Sequence, residues 1–393
     1  MDTAQKSAVI SHNQDKAASL FNNIPWATPN TTTPAWHKLG VPCHVDSNAL
    51  QTLDIFIPRS NASPDDPPQS ADYRGNWLIL IHGGAWRDPL VTSLNFALPT
   101  VRHLVGSSSS ENHIAGIASL SYSLSPHPSH PLPPTATKAE AASRTATHPQ
   151  HILDVLSGLR FLRAVFGEDV ERRGVLVGHS CGATLAMQAV LGGEEYWTRS
   201  ASIPHTSADG SSVLSHLASL REEGQVQGWR PIALVCLAGL YDLPALVSPQ
   251  GPFADYAPIY REFVTGAFGD DEDVWTQVSL ACLRFEPEGW EGRLIVLADS
   301  KDDGMVPPEQ GDIMAERLRG QREGSKRAPF VRTEMQGQHD RIWEDGKQVA
   351  DVCRDVLGWV KASGEEGFEA VEYVRDGEGI VPLSSPGKQR EKT

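Results

Sequence analysis

The sequence predicts an α/β fold with a mostly parallel central sheet and helices on both faces. Short apolar runs alternate with segments of helical periodicity, which is the pattern of repeated strand–helix–strand units. The clearest helix carries apolar residues at steps of three and four from Ile152 to Val165, directly ahead of a short apolar run at 174–178. Sites in such sheets form at the carboxyl ends of the strands.

The predicted elements follow one another in order along one domain, residues 36–362, with polar or Pro/Ser/Thr-rich insertions near 125–147 and 192–228. Strands are predicted at 50–57, 77–82, 114–121, 174–178, 231–237, 293–298 and 330–335, and helices from 150, at 183–190, from 308 and at 348–361. We expect residues 1–35 to be loosely ordered and residues 363–393 to form a disordered tail, because both segments are polar.

The composition indicates a soluble, cytoplasmic protein. The 393 residues carry a net charge of −15 at pH 7, which disfavours nucleic acid and anionic membranes as partners. The first residues lack the apolar segment of a secretory signal, and no apolar run approaches the roughly 20 residues that span a bilayer. The five cysteines are scattered, odd in number and without a C-x-x-C pair, which argues against a disulfide framework or a zinc site.

The most informative motif lies at 82–86, directly after the apolar run 77–81. It reads His82, Gly83, Gly84, Ala85 and Trp86. Random placement of these residue types gives the pattern about 0.003 times in this chain. A strand that ends in two glycines exposes backbone N–H groups, which can hold the negative oxygen that forms when a nucleophile attacks a carbonyl.

A second motif lies between a predicted strand and a predicted helix. Its residues, Gly178, His179, Ser180, Cys181 and Gly182, match the G-x-S-x-G elbow, which holds a serine hydroxyl outward on a tight turn. The pattern alone arises by chance roughly one time in four, but its context and the upstream motif make Ser180 the predicted nucleophile. The N–H of Cys181 can join the oxyanion hole. A purely structural glycine turn, and Cys181 as the nucleophile, remain alternatives.

A serine nucleophile needs a histidine to take its proton, and in this architecture the chain order is serine, acid, histidine. Three histidines follow Ser180 in the sequence. His205 and His216 fall in a polar insertion, whereas His339 follows the last predicted strand and is the predicted base.

The acid that orients this histidine should follow the strand 293–298. Asp303 stands four residues before the proline of a D-x-x-V-P run, which selects it as the partner of the imidazole. Asp302 is the alternative. Asp340, next to His339, is interpreted as a cap or a surface charge and is assigned no chemistry.

Together these motifs resemble the esterase/lipase branch of the α/β-hydrolase fold, and more narrowly the fungal kynurenine formamidase (arylformamidase) family. The narrower resemblance depends on the segments 148–155, 239–243, 260–269 and 337–343 and covers residues 36–361. The insertions at 106–112, 125–147 and 192–228 depart from a compact family member.

The resemblance implies hydrolysis of N-formyl-L-kynurenine to L-kynurenine and formate, a step of tryptophan degradation, through a formyl-Ser180 intermediate. It implies backbone donors at Gly84 and Ala85, assisted by Cys181, and it implies a homodimer. No metal or cofactor is expected to take part. His82 and Trp86 are expected to shape the loop rather than to do chemistry.

Other functions remain open at the level of the motifs. A carboxylesterase or deacetylase acting on small acyl esters would use the same residues, and only the pocket lining separates an ester from a formamide. A hydrolase-fold binding protein without turnover would be indicated by loss of a triad residue or of the oxyanion glycines, all of which are present. The motifs do not identify the residues that bind the amino-acid end of the substrate.

Overall fold

The computed structural model describes residues 15–58, 65–105, 114–200, 228–250, 254–283, 293–320, 328–364, 367–368, 372–376 and 379–383. These residues contribute ten strands to one sheet. The strands are β1 Trp36–Pro42, β2 Thr52–Ile57, β3 Asn76–Ile81, β4 Ile114–Leu120, β5 Gly174–His179, β6 Ala233–Leu237, β7 Leu294–Ser300, β8 Phe330–Met335, β9 Glu372–Asp376 and β10 Gly379–Pro382.

Helices connect most of these strands. They are α1 15–23, α2 Ser93–Val105, α3 Lys138–Ser143, α4 Gln150–Phe166, α5 Asp169–Arg172, α6 Cys181–Leu191, α7 Glu194–Ser200, α8 Leu243–Leu246, α9 Ala257–Phe268, α10 Glu272–Val278, α11 Glu309–Arg319, α12 Arg341–Glu344 and α13 Lys347–Ser363. Short 3-10 helices lie at Ser70–Tyr73 and Ala254–Tyr256. In the part of the chain that the structure describes, no helix is both long enough and apolar enough to cross a membrane.

The sheet has the strand order β1-β2-β4-β3-β5-β6-β7-β8-β9-β10. Neighbours from β4 to β9 run parallel, whereas β1 and β2 at one edge and β10 at the other add antiparallel pairs. The parallel run brings the loops after β3, β5, β7 and β8 to one edge of the sheet. The predicted α/β class with a mostly parallel sheet is confirmed.

Alternate side chains of strand β3 enter two separate cores. Ile79 and Ile81 pack with residues of α4 and α6 on one face, whereas Leu78 and Leu80 pack with residues of α2 and α13 on the other. Successive side chains of a strand point to opposite faces, and all four of these are fully buried. Burial on both faces explains why the central strands read as continuous apolar runs rather than as alternating patterns.

The seven predicted strands correspond to β2 through β8, with ends that differ by at most two residues. Strand β1 and helix α2 are among the elements that were not predicted. Strand β1 is interrupted by a bulge between Lys38 and Val41, and helix α2 contains Pro99, so both lack a regular local pattern.

Residues 15–35, within the segment that we expect to be loosely ordered, make long-range contacts with the rest of the described chain. Helix α1 buries Phe21, whose ring packs edge-on against Phe166 at 5.3 Å between centroids. The Lys38 ammonium donates to the Phe21 carbonyl oxygen at 2.8 Å and lies 3.8 Å from the centre of its ring. A few long-range contacts therefore order a segment of polar composition. Residues 1–14 lie outside the described residues.

Part of the segment that we expect to form a disordered tail pairs with the central sheet. Strand β9 pairs with β8, and Glu372 accepts two hydrogen bonds of 2.7 Å from the Arg319 guanidinium. Phe368 and Tyr373 are buried and pack edge-on at 5.5 Å. Pairing with an existing strand outweighs the polar composition of this segment. The last ten residues lie outside the part that is described.

The two long insertions fall partly within the described residues. The segment 125–147 contains the short helix α3, which begins with a capping box between Thr137 and Glu140. Of the segment 192–228, the structure describes 192–200, which includes α7, and residue 228.

Candidate active site

Ser180 occupies a strained turn between β5 and α6. Its φ is 55° and its ψ is −124°, a backbone conformation that L side chains rarely adopt. Its N–H donates to the Leu237 carbonyl oxygen of the neighbouring strand at 2.8 Å, which fixes the turn against the sheet. Strain at a nucleophile elbow is the expected geometry for a serine that must point its hydroxyl out of the sheet.

Close packing at Gly182 brings the first turn of α6 against the end of β3. A Cβ atom added at Gly182 would lie 2.3 Å from the Ile81 carbonyl oxygen and 2.5 Å from that of His82. Both of these atoms belong to the backbone, so any side chain at this position would push the helix away. Glycine here sets the distance between Ser180 and the 82–86 loop.

The 82–86 loop turns sharply beside the serine. Gly84, Ala85 and Trp86 have φ values of 95°, 49° and 58°, and the Gly84 carbonyl accepts hydrogen bonds from two following amides, at 2.9 and 2.8 Å. Gly84 and Ala85 line the same cavity as Ser180. A run of three left-handed residues folds the loop back on itself and presents backbone at the cavity wall.

His82 and Trp86 are buried beneath this loop. The Trp86 indole packs edge-on against Phe268 at 4.9 Å. The His82 ring stacks on Tyr122 with centroids 4.5 Å apart and an angle of 12° between the rings, and its Nδ1 lies 2.9 Å from the Gly83 carbonyl oxygen. Burial lowers the pKa of His82 to about 4, so the imidazole is neutral at pH 7. Both side chains therefore pack against residues outside the loop.

Tyr122 and Cys181 also contact the 82–86 loop. The Tyr122 hydroxyl lies 3.0 Å from the carbonyl oxygens of both His82 and Gly83, and 3.5 Å from the sulfur of Cys181. That sulfur accepts a hydrogen bond of 3.2 Å from the N–H of Trp86. The role of Tyr122 was not predicted, because it follows β4 and approaches the loop only in the folded chain.

Cys181 is poorly suited to act as the nucleophile. Burial raises the pKa of its thiol to about 11, although the Tyr122 hydroxyl and the nearby backbone amides of Trp86 and Ala85 favour the thiolate. A thiol with that pKa is almost entirely protonated at pH 7, and the thiolate is the reactive form.

The loop after β7 carries Asp303, and the loop after β8 carries His339. Oδ2 of Asp303 lies 2.7 Å from Nδ1 of His339, and both residues are about 95% buried, at 4% and 5% exposure. Oδ1 of Asp303 accepts hydrogen bonds from the backbone N–H groups of Met305 and Val306 at 2.8 and 2.9 Å. The carboxylate is therefore held by its own loop and offers its second oxygen to the histidine.

The alternative acid and the neighbouring aspartate occupy other environments. Asp302 is exposed to solvent, and its N–H donates to Ser300 Oγ at 3.2 Å. Asp340 is exposed at the start of α12 and accepts a hydrogen bond of 3.2 Å from the Trp343 indole. The structure therefore pairs Asp303, and not Asp302, with His339.

Several of the predicted site residues line one cavity. It has a volume of about 310 Å³, and its walls include Ser180, His339, Gly84, Ala85 and Arg87. His127, from the insertion 125–147, also lines it. The structure thus brings together the predicted serine, histidine and loop glycine at one end of the sheet, with Asp303 behind the histidine. Among the described residues, no group of three or more His, Cys, Asp or Glu side chains is placed to hold a metal ion.

Comparison with curated proteins finds fungal relatives over most of the chain. A kynurenine formamidase-like hydrolase of Fusarium equiseti is 34% identical over 81% of this chain and 93% of the relative. A kynurenine formamidase of Aspergillus versicolor is 28% identical over 82% of this chain and 95% of the relative, and one of Meyerozyma guilliermondii is 30% identical over 72% and 84%. No protein-family model matches the chain.

Solved structures agree with the fold. A crystal structure of inhibited esterase B from Lactobacillus rhamnosis superposes with a TM-score of 0.53 at 14% identity, covering 93% of this chain and 99% of that one. A second inhibited form of the same esterase gives a TM-score of 0.53 at 13% identity with the same coverage. At such identities the likeness shows the α/β-hydrolase fold and nothing about the substrate.

Proposed function

The chain belongs to the kynurenine formamidase family of hydrolases, and we propose that it cleaves N-formyl-L-kynurenine to L-kynurenine and formate with Ser180 as the nucleophile. The observation that carries the proposal is the 2.7 Å contact between buried Asp303 and His339, on a cavity that Ser180 also lines. Placed in the family's chain order, these three residues have the types and positions of an acyl-transfer triad.

In the first step the Ser180 hydroxyl attacks the formyl carbon. Asp303 holds Nδ1–H of His339, which leaves Nε2 free to take the hydroxyl proton as the Oγ–C bond forms. The electron pair of the formyl C=O moves onto its oxygen. The buried carboxylate then stabilises the imidazolium that results.

The formyl oxygen becomes negative in this step, and backbone N–H groups are proposed to hold it. Gly84 and Ala85 provide these donors from the cavity wall, and the N–H of Cys181 assists from the first turn of α6. Donors fixed by the folded loop need no rearrangement when the charge develops, which is why such holes contribute strongly to rate. The contacts of Tyr122 with the loop support this arrangement.

Collapse of the first intermediate breaks the bond between the formyl carbon and the aryl nitrogen. His339 donates its proton to that nitrogen, so that L-kynurenine leaves as a neutral arylamine rather than as a poor anionic leaving group. A water molecule then gives a proton to His339 and adds its oxygen to the formyl ester. The second collapse returns the proton to Ser180 Oγ and releases formate.

We also propose that the protein acts in the cytoplasm as a homodimer, with a small-molecule substrate and neither nucleic acid nor a membrane as partner. The family resemblance motivates the dimer, and the acidic composition motivates the exclusions. Sedimentation velocity of the purified protein tests the oligomeric state: a monomer at micromolar concentration contradicts the dimer.

Steady-state kinetics on two substrates test the proposed function. The purified protein is expected to hydrolyse N-formyl-L-kynurenine with a higher kcat/KM than p-nitrophenyl acetate, an activated ester that many serine hydrolases accept. Turnover of the ester with none of the formamide would indicate a carboxylesterase. Binding without turnover of either compound would indicate a hydrolase-fold binding protein.

A further inference from the structure

The cavity that contains Ser180 has a cationic group in an otherwise largely apolar wall. Arg87 follows the 82–86 loop directly, and it supplies the one Lys or Arg side chain among the described residues of the lining. Apolar and aromatic residues, including Tyr260 and Phe263, form much of the remaining surface. An arginine in such a place has a desolvation cost, which Glu262 offsets in part and a ligand anion would offset further.

The Arg87 guanidinium is held in a fixed position. Its side chain is only 10% exposed, its Nη1 donates to Glu262 Oε1 at 2.7 Å, and its carbon lies 5.8 Å from the centre of the Phe263 ring. The Glu262 side chain is 55% exposed, so one partner is in solvent and the other is in the cavity. A guanidinium has five N–H donors, and this is the single hydrogen bond it makes within the described part of the chain.

Carboxylate is the ligand that fits this group. A planar guanidinium matches a carboxylate with two parallel N–H···O bonds, and a nearly buried one binds it more strongly than an exposed one. Asp88 and Asp340 line the same cavity, so an anion alone would meet repulsion there. The amino-acid end of a substrate carries an ammonium beside its carboxylate and meets charges of both signs.

We propose that Arg87 binds the α-carboxylate of an amino-acid aryl formamide and selects such substrates over neutral aryl formamides. This inference rests on the proposed function, since it places the aryl formamide at Ser180 and the amino-acid end at Arg87. The apolar wall around Tyr260 and Phe263 receives the aromatic ring between these two groups.

Two substrates and three variants test the proposal. N-formyl-L-kynurenine carries the amino-acid end, whereas N-(2-acetylphenyl)formamide has the same aryl formamide and ketone without it. Arg87→Met is expected to lower kcat/KM for N-formyl-L-kynurenine about 100-fold, mainly through KM, because a charge-assisted bidentate contact is lost. Hydrolysis of the neutral formamide is expected to change less than threefold, which also shows that the variant is folded. Arg87→Lys keeps the positive charge but cannot form the bidentate contact. Its kcat/KM for N-formyl-L-kynurenine is expected to lie between those of wild type and Arg87→Met.

Arg261→Met provides a matched control. Arg261 lies on the same helix as Glu262, pairs with Glu272 at 3.1 Å and lies 5.1 Å from the Trp275 ring, but it is outside the cavity lining. The Arg261→Met substitution removes a comparable arginine–glutamate pair. Hydrolysis of both formamides is expected to stay at the wild-type level.

The outcomes separate this inference from the function on which it rests. If the wild type hydrolyses both formamides and Arg87→Met lowers both equally, or lowers neither, the assignment of Arg87 is overturned while the formamidase function stands. If the wild type hydrolyses neither formamide, the proposed function fails and the assignment of Arg87 fails with it.

Discussion

Oδ2 of Asp303 lies 2.7 Å from Nδ1 of His339, and both side chains are buried, with His339 in the cavity wall and Asp303 behind it. The contact joins loops that are 36 residues apart in the chain and that follow adjacent parallel strands. A second hydrogen bond, from Ser300 Oγ to the Gly337 carbonyl oxygen at 2.7 Å, ties the same two loops together.

This contact predicts unequal effects of two neighbouring substitutions. Asp303→Asn is expected to lower kcat by about 1,000-fold or more, because the amide cannot hold the imidazole in the required tautomer or stabilise its charged form. Asp302→Asn is the matched control, since Asp302 is exposed, and it is expected to stay within twofold of wild type. Steady-state kinetics on N-formyl-L-kynurenine measure both, and the reverse order of effects would show that the acid is misassigned.

Tyr122 is predicted to position the 82–86 loop. Tyr122→Phe removes the donor that contacts the carbonyl oxygens of His82 and Gly83, and is expected to lower kcat about tenfold with little change in KM. Tyr73→Phe is the control, because Tyr73 precedes β3 whereas the 82–86 loop follows it, and the Tyr73 hydroxyl makes a 3.4 Å contact with the Pro68 carbonyl oxygen. An unchanged kcat in Tyr122→Phe, or equal effects in the two variants, would refute the positioning role.

The close approach at Gly182 predicts that alanine is not tolerated there. A Cβ atom would lie 2.3 Å from the Ile81 carbonyl oxygen, so Gly182→Ala is expected to destabilise the protein by about 1–3 kcal/mol and to abolish most activity. In Gly358→Ala, within α13, the new Cβ meets no atom within 4 Å, and helix propensity predicts a gain of about 0.5–1 kcal/mol. Urea unfolding midpoints measure both, and a Gly182→Ala variant as stable as wild type would contradict this packing.

Asp299 is predicted to make stability depend on pH. Burial raises its pKa from 3.8 to about 7, and its nearest cationic atom, Arg332 Nη2, lies 3.6 Å from Oδ2. Between pH 3.8 and about pH 7, Asp299 is protonated in the folded protein but ionised in the unfolded chain. The contribution of Asp299 to stability is therefore present at low pH and is lost as the pH rises toward and beyond 7.

Asp299→Asn isolates this contribution, because the amide does not titrate while all other groups are shared with wild type. The free energy of unfolding of the variant minus that of wild type is expected to increase by about 2.6 kcal/mol from pH 5 to pH 8. Urea titrations of both proteins at the two pH values give the difference. A difference that is constant, or that decreases, would contradict a raised pKa for Asp299.

The sequence predicted the central sheet because strands buried on both faces carry a strong local signal. Strands β2 to β8 are short, apolar and bounded by turn residues, and each could be recognised separately. The edge elements could not, since β1 contains a bulge and β9 consists largely of polar residues. Strand β9 forms because it pairs with β8 and because Arg319 contacts Glu372. Both interactions join residues that are distant in sequence.

The site shows the same division. Ser180 and the 82–86 loop lie in contiguous motifs, and chain order was enough to choose His339. Tyr122 contacts residues of the 82–86 loop that are 39 and 40 positions away in the sequence, and Arg87 contacts Glu262, which is 175 positions away. No sequence motif indicates either contact. Residues that carry a reaction can be recognised by type and spacing, whereas those that position or select depend on packing.

The central claim is that Ser180 is the nucleophile of a formamidase, and covalent labelling tests it most directly. A fluorophosphonate probe is expected to add to one residue, Ser180, identified by mass spectrometry of the modified peptide, with loss of N-formyl-L-kynurenine hydrolysis in proportion to labelling. Ser180→Ala is expected to take up no label there and to lower kcat by at least about 1,000-fold. Labelling of Cys181 or another residue with loss of activity, or a Ser180→Ala variant that still hydrolyses the formamide at the wild-type rate, would contradict the account.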